Sequence, residues 1–168
     1  MSKKRILLVV DLQKQFRDKD GQYDKCLQYI NDHKGEYHRI IGTVFRNHDA
    51  SMYEKHLGWS SCKDVTLSDI EYEYDEIIWK CGYSANINDA FSCIVDKYCG
   101  EFSPTPCTVS FDIIGCDADA CVLATAFALW DRRYDFNILS DYIYTTAHDI
   151  KKEDILKIMK RNFGECVR

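Results

Sequence analysis

Five short apolar runs recur along this chain, several of them without alternating polar residues: RILLVV (5–10), RIIGTVF (39–45), EIIWK (76–80), TVSFDIIG (108–115) and DFNILS (135–140). A strand with one wet face alternates. A run that does not alternate suits a strand buried on both faces, as in a parallel sheet. Helical patterns lie between the runs. YDKCLQYINDHK (23–34) gathers Cys26, Tyr29 and Ile30 on one side, and NINDAFSCIVDKY (86–98) spaces Ile87, Phe91, Ile94 and Val95 helically. DACVLATAFALWDRR (119–133) is apolar nearly all round and so reads as a buried helix. KKEDILKIMKRNF (151–163) is amphipathic, and residues 46–75 read as a helix over 51–57 followed by a long loop. A short two-stranded insertion fits TLSDIEYEYDE. Strand–helix alternation with 2 prolines predicts a single α/β domain over 1–168, doubly wound around a mainly parallel β-sheet flanked by helices.

In such a sheet, ligands bind beyond the carboxyl ends of the strands. The first run ends in Asp11, the second in Arg46 and Asn47, the third in Lys80 and the fourth in Gly115 and Cys116, ahead of the loop to Cys121. A carboxylate, an ammonium and a thiol thus reach one edge of one sheet. The trio has a chemical logic. A thiolate is favoured by a nearby ammonium and by a helix N-terminus, and Lys80 and the helix behind Cys121 supply both. Asp11 can take and return the thiol proton. Backbone N–H groups around 117–121 can bind an oxyanion.

Other classes of function are disfavoured. A formal net charge of -5 gives no broad basic surface, which argues against nucleic acid and anionic membranes as partners. The apolar stretch after MSKKR is too short for a signal-peptide core, and the longest apolar run, Ala120 to Trp130, falls short of the ~20 residues that span a bilayer. A soluble, cytoplasmic protein is the expectation. Nine cysteines, irregularly spaced and without paired CxxC units, suit neither a disulfide framework nor a structural zinc site. Most read as small buried hydrophobes. No GxGxxG follows the first strand, so a dinucleotide site is disfavoured too.

The residues at these strand ends resemble the isochorismatase-like cysteine hydrolase family. VVDLQKQF resembles its D-x-Q-x-x-F opening, KCGYSA its K-x-x-Y-S-A element, and GCDADACVLATA its G-x-x-x-D-x-C-V-x-x-T-A signature. TVFRNHDASMYEKHLGW resembles the second-strand segment of members with a tryptophan loop. The resemblance covers roughly residues 5 to 163. It implies a catalytic triad of Asp11 as acid/base, Lys80 and the nucleophile Cys121, and a covalent acyl-enzyme. It also implies a cis peptide at Cys116–Asp117 that turns the N–H groups of Asp117 and Cys121 toward one oxyanion. The expected substrate is a small amide or carbamoyl compound, and homo-oligomers are common in the family. Nicotinamidases of the family carry a metal motif, Asp-x-His, after the second strand. Phe45 and Asn47 stand at those positions here, so no metal and no other cofactor is expected. Phe16, Phe45, Asn47, Trp59 and Tyr83 are the expected pocket walls. The alternatives are a vinyl ether hydrolase, a non-enzymatic binding or scaffold domain, and a thiol redox protein using Cys116 and Cys121.

Overall fold

The computed structural model describes residues 3–85, 91, 93, 97 and 109–168. Five strands form one sheet: β1 (Lys4–Val10), β2 (Arg39–Phe45), β3 (Glu76–Lys80), β4 (Val109–Gly115) and β5 (Asp135–Ile143). All four pairings are parallel, in the order β3-β2-β1-β4-β5. The helices are α1 (Gln22–His33), α2 (Met52–Leu57), α3 (Leu123–Asp131) and α4 (Lys152–Phe163), with a π-helical turn, Ala118–Val122, leading into α3. The helix expected over 86–98 lies outside the described residues, except that Phe91, Cys93 and Lys97 are helical. No helix among the described residues is long and apolar enough to cross a membrane.

The runs that form β1, β2 and β4 have the physical cause expected of them, while the edge strands β3 and β5 are only partly buried. Successive residues of β1 enter two different cores. Ile6, Leu8 and Val10 pack with Phe111, Ile113 and the α3 and α4 residues Leu129, Met159 and Phe163. Leu7 and Val9 pack with Tyr23, Cys26 and Ile30 of α1 and with Tyr74. The one charged residue within β4, Asp112, is buried but fully engaged. It accepts from Arg5 Nη2 at 2.6 Å, Tyr37 Oη at 3.0 Å and Asn137 Nδ2 at 2.7 Å.

Two expectations fail. Residues 66–75 hold a 3-10 turn, Leu67–Asp69, and no paired strands; the last residue of the stretch, Glu76, already belongs to β3. The turn is closed by Asp69, whose carboxylate accepts the Thr66 backbone N–H, so local side-chain bonding replaces a hairpin ladder. The helix 119–133 is also less buried than its composition implies. Phe127 is 39% and Trp130 50% exposed. Both rest against Phe163 of α4, at ring-centroid distances of 4.9 and 5.8 Å, so one layer of helix covers the sheet there and nothing described covers α3 in turn.

The strand order reverses between β1 and β4. There the backbones come very close at Gly115, which has φ 114° and pairs with Val10. A Cβ on Gly115 would lie 2.1 Å from the Val10 carbonyl oxygen. Gly115→Ala should therefore destabilise the fold by about 2–4 kcal/mol through combined backbone strain and overpacking. That corresponds to a melting-temperature loss of about 5–15 °C. Thermal denaturation followed by circular dichroism checks this; an unchanged melting point would mean that β1 yields without cost.

Candidate active site

Asp11 follows β1, Lys80 ends β3, and Cys121 sits in the π-helical turn after β4. The structure brings the three into direct contact. Lys80 Nζ lies 2.7 Å from Asp11 Oδ2 and 3.2 Å from Cys121 Sγ. It also donates to the carbonyl oxygens of Gly82 at 2.8 Å and Tyr83 at 3.1 Å. An ammonium has three protons, so these four acceptors consume all of its donor capacity. Asp11 and Lys80 side chains are both fully buried.

Local sequence explains the placement. Asp11 takes a left-handed backbone, φ 48°, which turns the chain away from the sheet. Thr43 of β2 anchors it, donating from Oγ1 to Asp11 Oδ1 at 2.7 Å and accepting the Asp11 N–H at 3.0 Å. Two residues on, the buried Gln13 amide replaces the strand that has just left. Its Oε1 accepts from Phe45 N–H at 2.9 Å, and its Nε2 donates to Phe45 O at 3.1 Å. Gln13 thereby fixes Phe45, whose ring lies 5.2 Å from Lys80 Nζ, within cation–π range. No role was assigned to Gln13 from sequence. A glutamine two residues beyond a strand-terminal aspartate is the signal that could have revealed it.

A cavity of about 340 Å³ opens onto Cys121. Phe16, Phe45, Trp59 and Tyr83 line it as expected, joined by Tyr53 of α2. Tyr53 is edge-on to Phe45, Trp59 and Tyr83, with centroids 5.1, 5.8 and 5.1 Å away. It was missed because an aromatic on a short, irregular helix carries no periodic signal. Asn47 is a correction. It does not line the cavity, since its Nδ2 donates to the Trp59 and Ser61 carbonyls at 3.3 and 3.1 Å and its Oδ1 accepts from His48 N–H. Asn47 shapes the tryptophan loop from behind. These bonds also bear on metal binding. Phe45 offers no ligand atom, the Asn47 amide is committed, and no cluster of three or more His, Cys, Asp or Glu suited to a metal occurs among the described residues.

The peptide Cys116–Asp117 is cis, as the resemblance implies. The Asp117 carboxylate accepts from Thr146 N–H at 2.7 Å and Thr146 Oγ1 at 3.1 Å. Burial raises its pKa, against the lowering effect of those bonds. Cys116 is no partner for Cys121. Its side chain packs in the α1 core while Cys121 belongs to the α3 core, and its Sγ lies 3.4 Å from the Asp11 carbonyl. That geometry removes the redox-pair alternative.

The thiol itself differs from expectation. Burial, reinforced by the Asp11 carboxylate, pushes Cys121 up to about 12, and the lowering effect of Lys80 does not overcome this. Lys80 behaves consistently: burial lowers its pKa, but Asp11 and Cys121 together raise it overall, so the ammonium persists. The sequence shows the cation beside the thiol but not how dry the pair is. Burial thus favours the neutral thiol at Cys121, with Lys80 Nζ donating to its Sγ.

A parallel five-stranded α/β sheet with this cluster beyond its carboxyl edge has the isochorismatase-like hydrolase fold. An isochorismatase-like hydrolase from Alkaliphilus metalliredigens superposes with TM-score 0.72 at 15% identity, covering 94% of this chain and 91% of that one. N-carbamoylsarcosine amidase from Thermoplasma acidophilum gives 0.68 at 18% identity, covering 98% and 95%. Pyrazinamidase of Pyrococcus horikoshii in complex with zinc gives 0.71 at 19% identity, covering 94% and 95%. No protein-family model and no curated protein sequence matches the chain.

A thiol raised to about 12 has a measurable signature. Alkylation of Cys121 in the free protein should speed up by about tenfold per pH unit from pH 7 to 10, because only the thiolate reacts. An unperturbed thiol levels off above about pH 8.5. Iodoacetamide labelling with peptide mapping gives the profile; levelling off below pH 9 would show that Lys80 dominates the thiol.

Proposed function

We propose that the protein is a cysteine hydrolase that cleaves a C–N bond of a small amide or carbamoyl compound. The observation that carries this reading is the contact of one buried ammonium with both Asp11 and Cys121, at the wall of an aromatic cavity. Such a trio is expensive to bury and has no packing role that an apolar side chain would not fill better. One structural neighbour, N-carbamoylsarcosine amidase, is an amidase, which is in keeping with it.

The proposed chemistry starts from the neutral thiol. Once a carbonyl carbon lies against Sγ, the S–H proton passes to Asp11 as the C–S bond forms. The carbonyl oxygen becomes an oxyanion, and the backbone N–H groups of Asp117 and Cys121 are its donors in this reading. The tetrahedral centre collapses, the C–N bond breaks, and Asp11 returns the proton to the leaving nitrogen. Water then attacks the thioester, giving its proton to Asp11, and the released thiol recovers that proton as the acid departs. Lys80, in contact with both Asp11 and the thiol, balances the charge as the proton moves. Every step uses the chain's own groups.

The test is intact-mass spectrometry after incubation with a panel of small amides, carbamates and esters. A covalent acyl adduct should appear on the native chain and be absent from Cys121→Ala. Both Cys121→Ala and Cys121→Ser should lose at least about 10³-fold in turnover while melting within a few degrees of the native protein. Asp11→Asn should lose about 10²–10⁴-fold. A Cys121→Ala protein that keeps most of its activity would end this reading.

A further inference from the structure

The charge around the cavity bears on what it can hold. Its walls are the rings of Phe16, Phe45, Tyr53, Trp59 and Tyr83, and among the described residues no Lys, Arg or His lines it. Lys80 lies behind the thiol with its side chain fully buried, its charge matched by Asp11 and its protons shared among four acceptors. The remaining charged group at the wall is the carboxylate of Asp117, held by Thr146. With Asp11 and Lys80 matching one another, the described wall carries the Asp117 carboxylate and no cation beside it.

Two neighbouring cations are tied to carboxylates, and Arg46 donates to the Lys63 carbonyl. Arg17 pairs with Asp24 and Glu71, and Lys63 with Asp49 and Glu54. The segment 86–108 contributes a single basic residue, Lys97, which pairs with Glu76 at the far end of β3 from Lys80. An anionic substituent entering the cavity would lose its water and meet ring faces and a carboxylate, with no cation among the described lining residues to receive it. A cation would meet the negative faces of the same rings.

We infer that the site takes amides whose acyl group is uncharged or cationic, prefers a flat cation, and rejects amides carrying a carboxylate beside the scissile carbonyl. This rests on the hydrolase reading for turnover but not for binding. Three ring amides of similar size test it: benzamide, 1-methyl-3-carbamoylpyridinium and 3-carbamoylbenzoate. Calorimetry on Cys121→Ala should show the pyridinium binding at least roughly tenfold more tightly than the carboxylate, or about 1.4 kcal/mol. Native kcat/KM should fall in the same order. Ser61→Lys, which places a cation at the cavity wall, should improve binding of the carboxylate by roughly threefold or more. Equal or tighter binding of the carboxylate overturns the inference and leaves the hydrolase reading standing. Binding in the expected order without turnover of any amide or ester sinks the hydrolase reading and keeps this one. Failure of all three to bind at millimolar concentration overturns the charge selectivity.

Discussion

The ion pair between Asp11 and Lys80 is the interaction around which the carboxyl edge of the sheet is built. It joins β1 to β3 across the strand between them, so it exists only because β2 lies in the middle with Thr43 and Phe45 beneath it. Burying both charges costs several kcal/mol per ion, and their attraction offsets this only when every remaining proton and lone pair is satisfied. Here Lys80 meets four acceptors and Asp11 also accepts the Thr43 hydroxyl. Removing one partner would strand the other charge, which typically costs about 3–5 kcal/mol. The geometry of the pair therefore constrains the turn at Asp11, the loop carrying Gly82 and Tyr83, and the position of the thiol together.

The same burial sets the resting state of Cys121. A cation in contact is usually read as a thiolate activator, yet here desolvation outweighs it. The neutral thiol is the cheaper occupant of a dry site that already holds one matched pair. Ionising it would leave two negative groups sharing one ammonium. In the proposed mechanism, proton transfer to Asp11 is therefore coupled to attack, because negative charge can leave sulfur only by moving onto the substrate oxygen.

Much of this was legible in the sequence. The apolar runs at 39–45 and 76–80 are the strands β2 and β3 residue for residue; β2 is buried on both faces, whereas the edge strand β3 leaves Trp79 exposed. Asp11, Lys80 and Cys121 could be placed at one edge because each ends such a run or lies shortly beyond it. The less legible features depend on three-dimensional surroundings. Exposure of Phe127 and Trp130 depends on which helices lie outside α3, which its own composition does not encode. Asn47 looks like a pocket residue because it follows a strand end, but carbonyls from a loop 12 to 14 residues later claim its amide. The thiol's raised pKa depends on how completely water is excluded, and charge spacing along a chain says nothing of that.

Gln13 and Asn47 show how the edge is stiffened without more sheet. Each is a buried amide that bonds to backbone on two sides, Gln13 to Phe45 and Asn47 to the 59–61 loop. An amide can do this because it carries donor and acceptor on one planar group, matching a peptide. The two amides fix the segments that carry Phe45 and Trp59, whose rings lie 5.7 Å apart at the cavity wall. An aromatic wall held by its backbone, rather than by contacts between rings alone, keeps its shape when the cavity is empty. The cost of ordering the wall is then met during folding, leaving more of the contact energy to hold a carbonyl against Sγ.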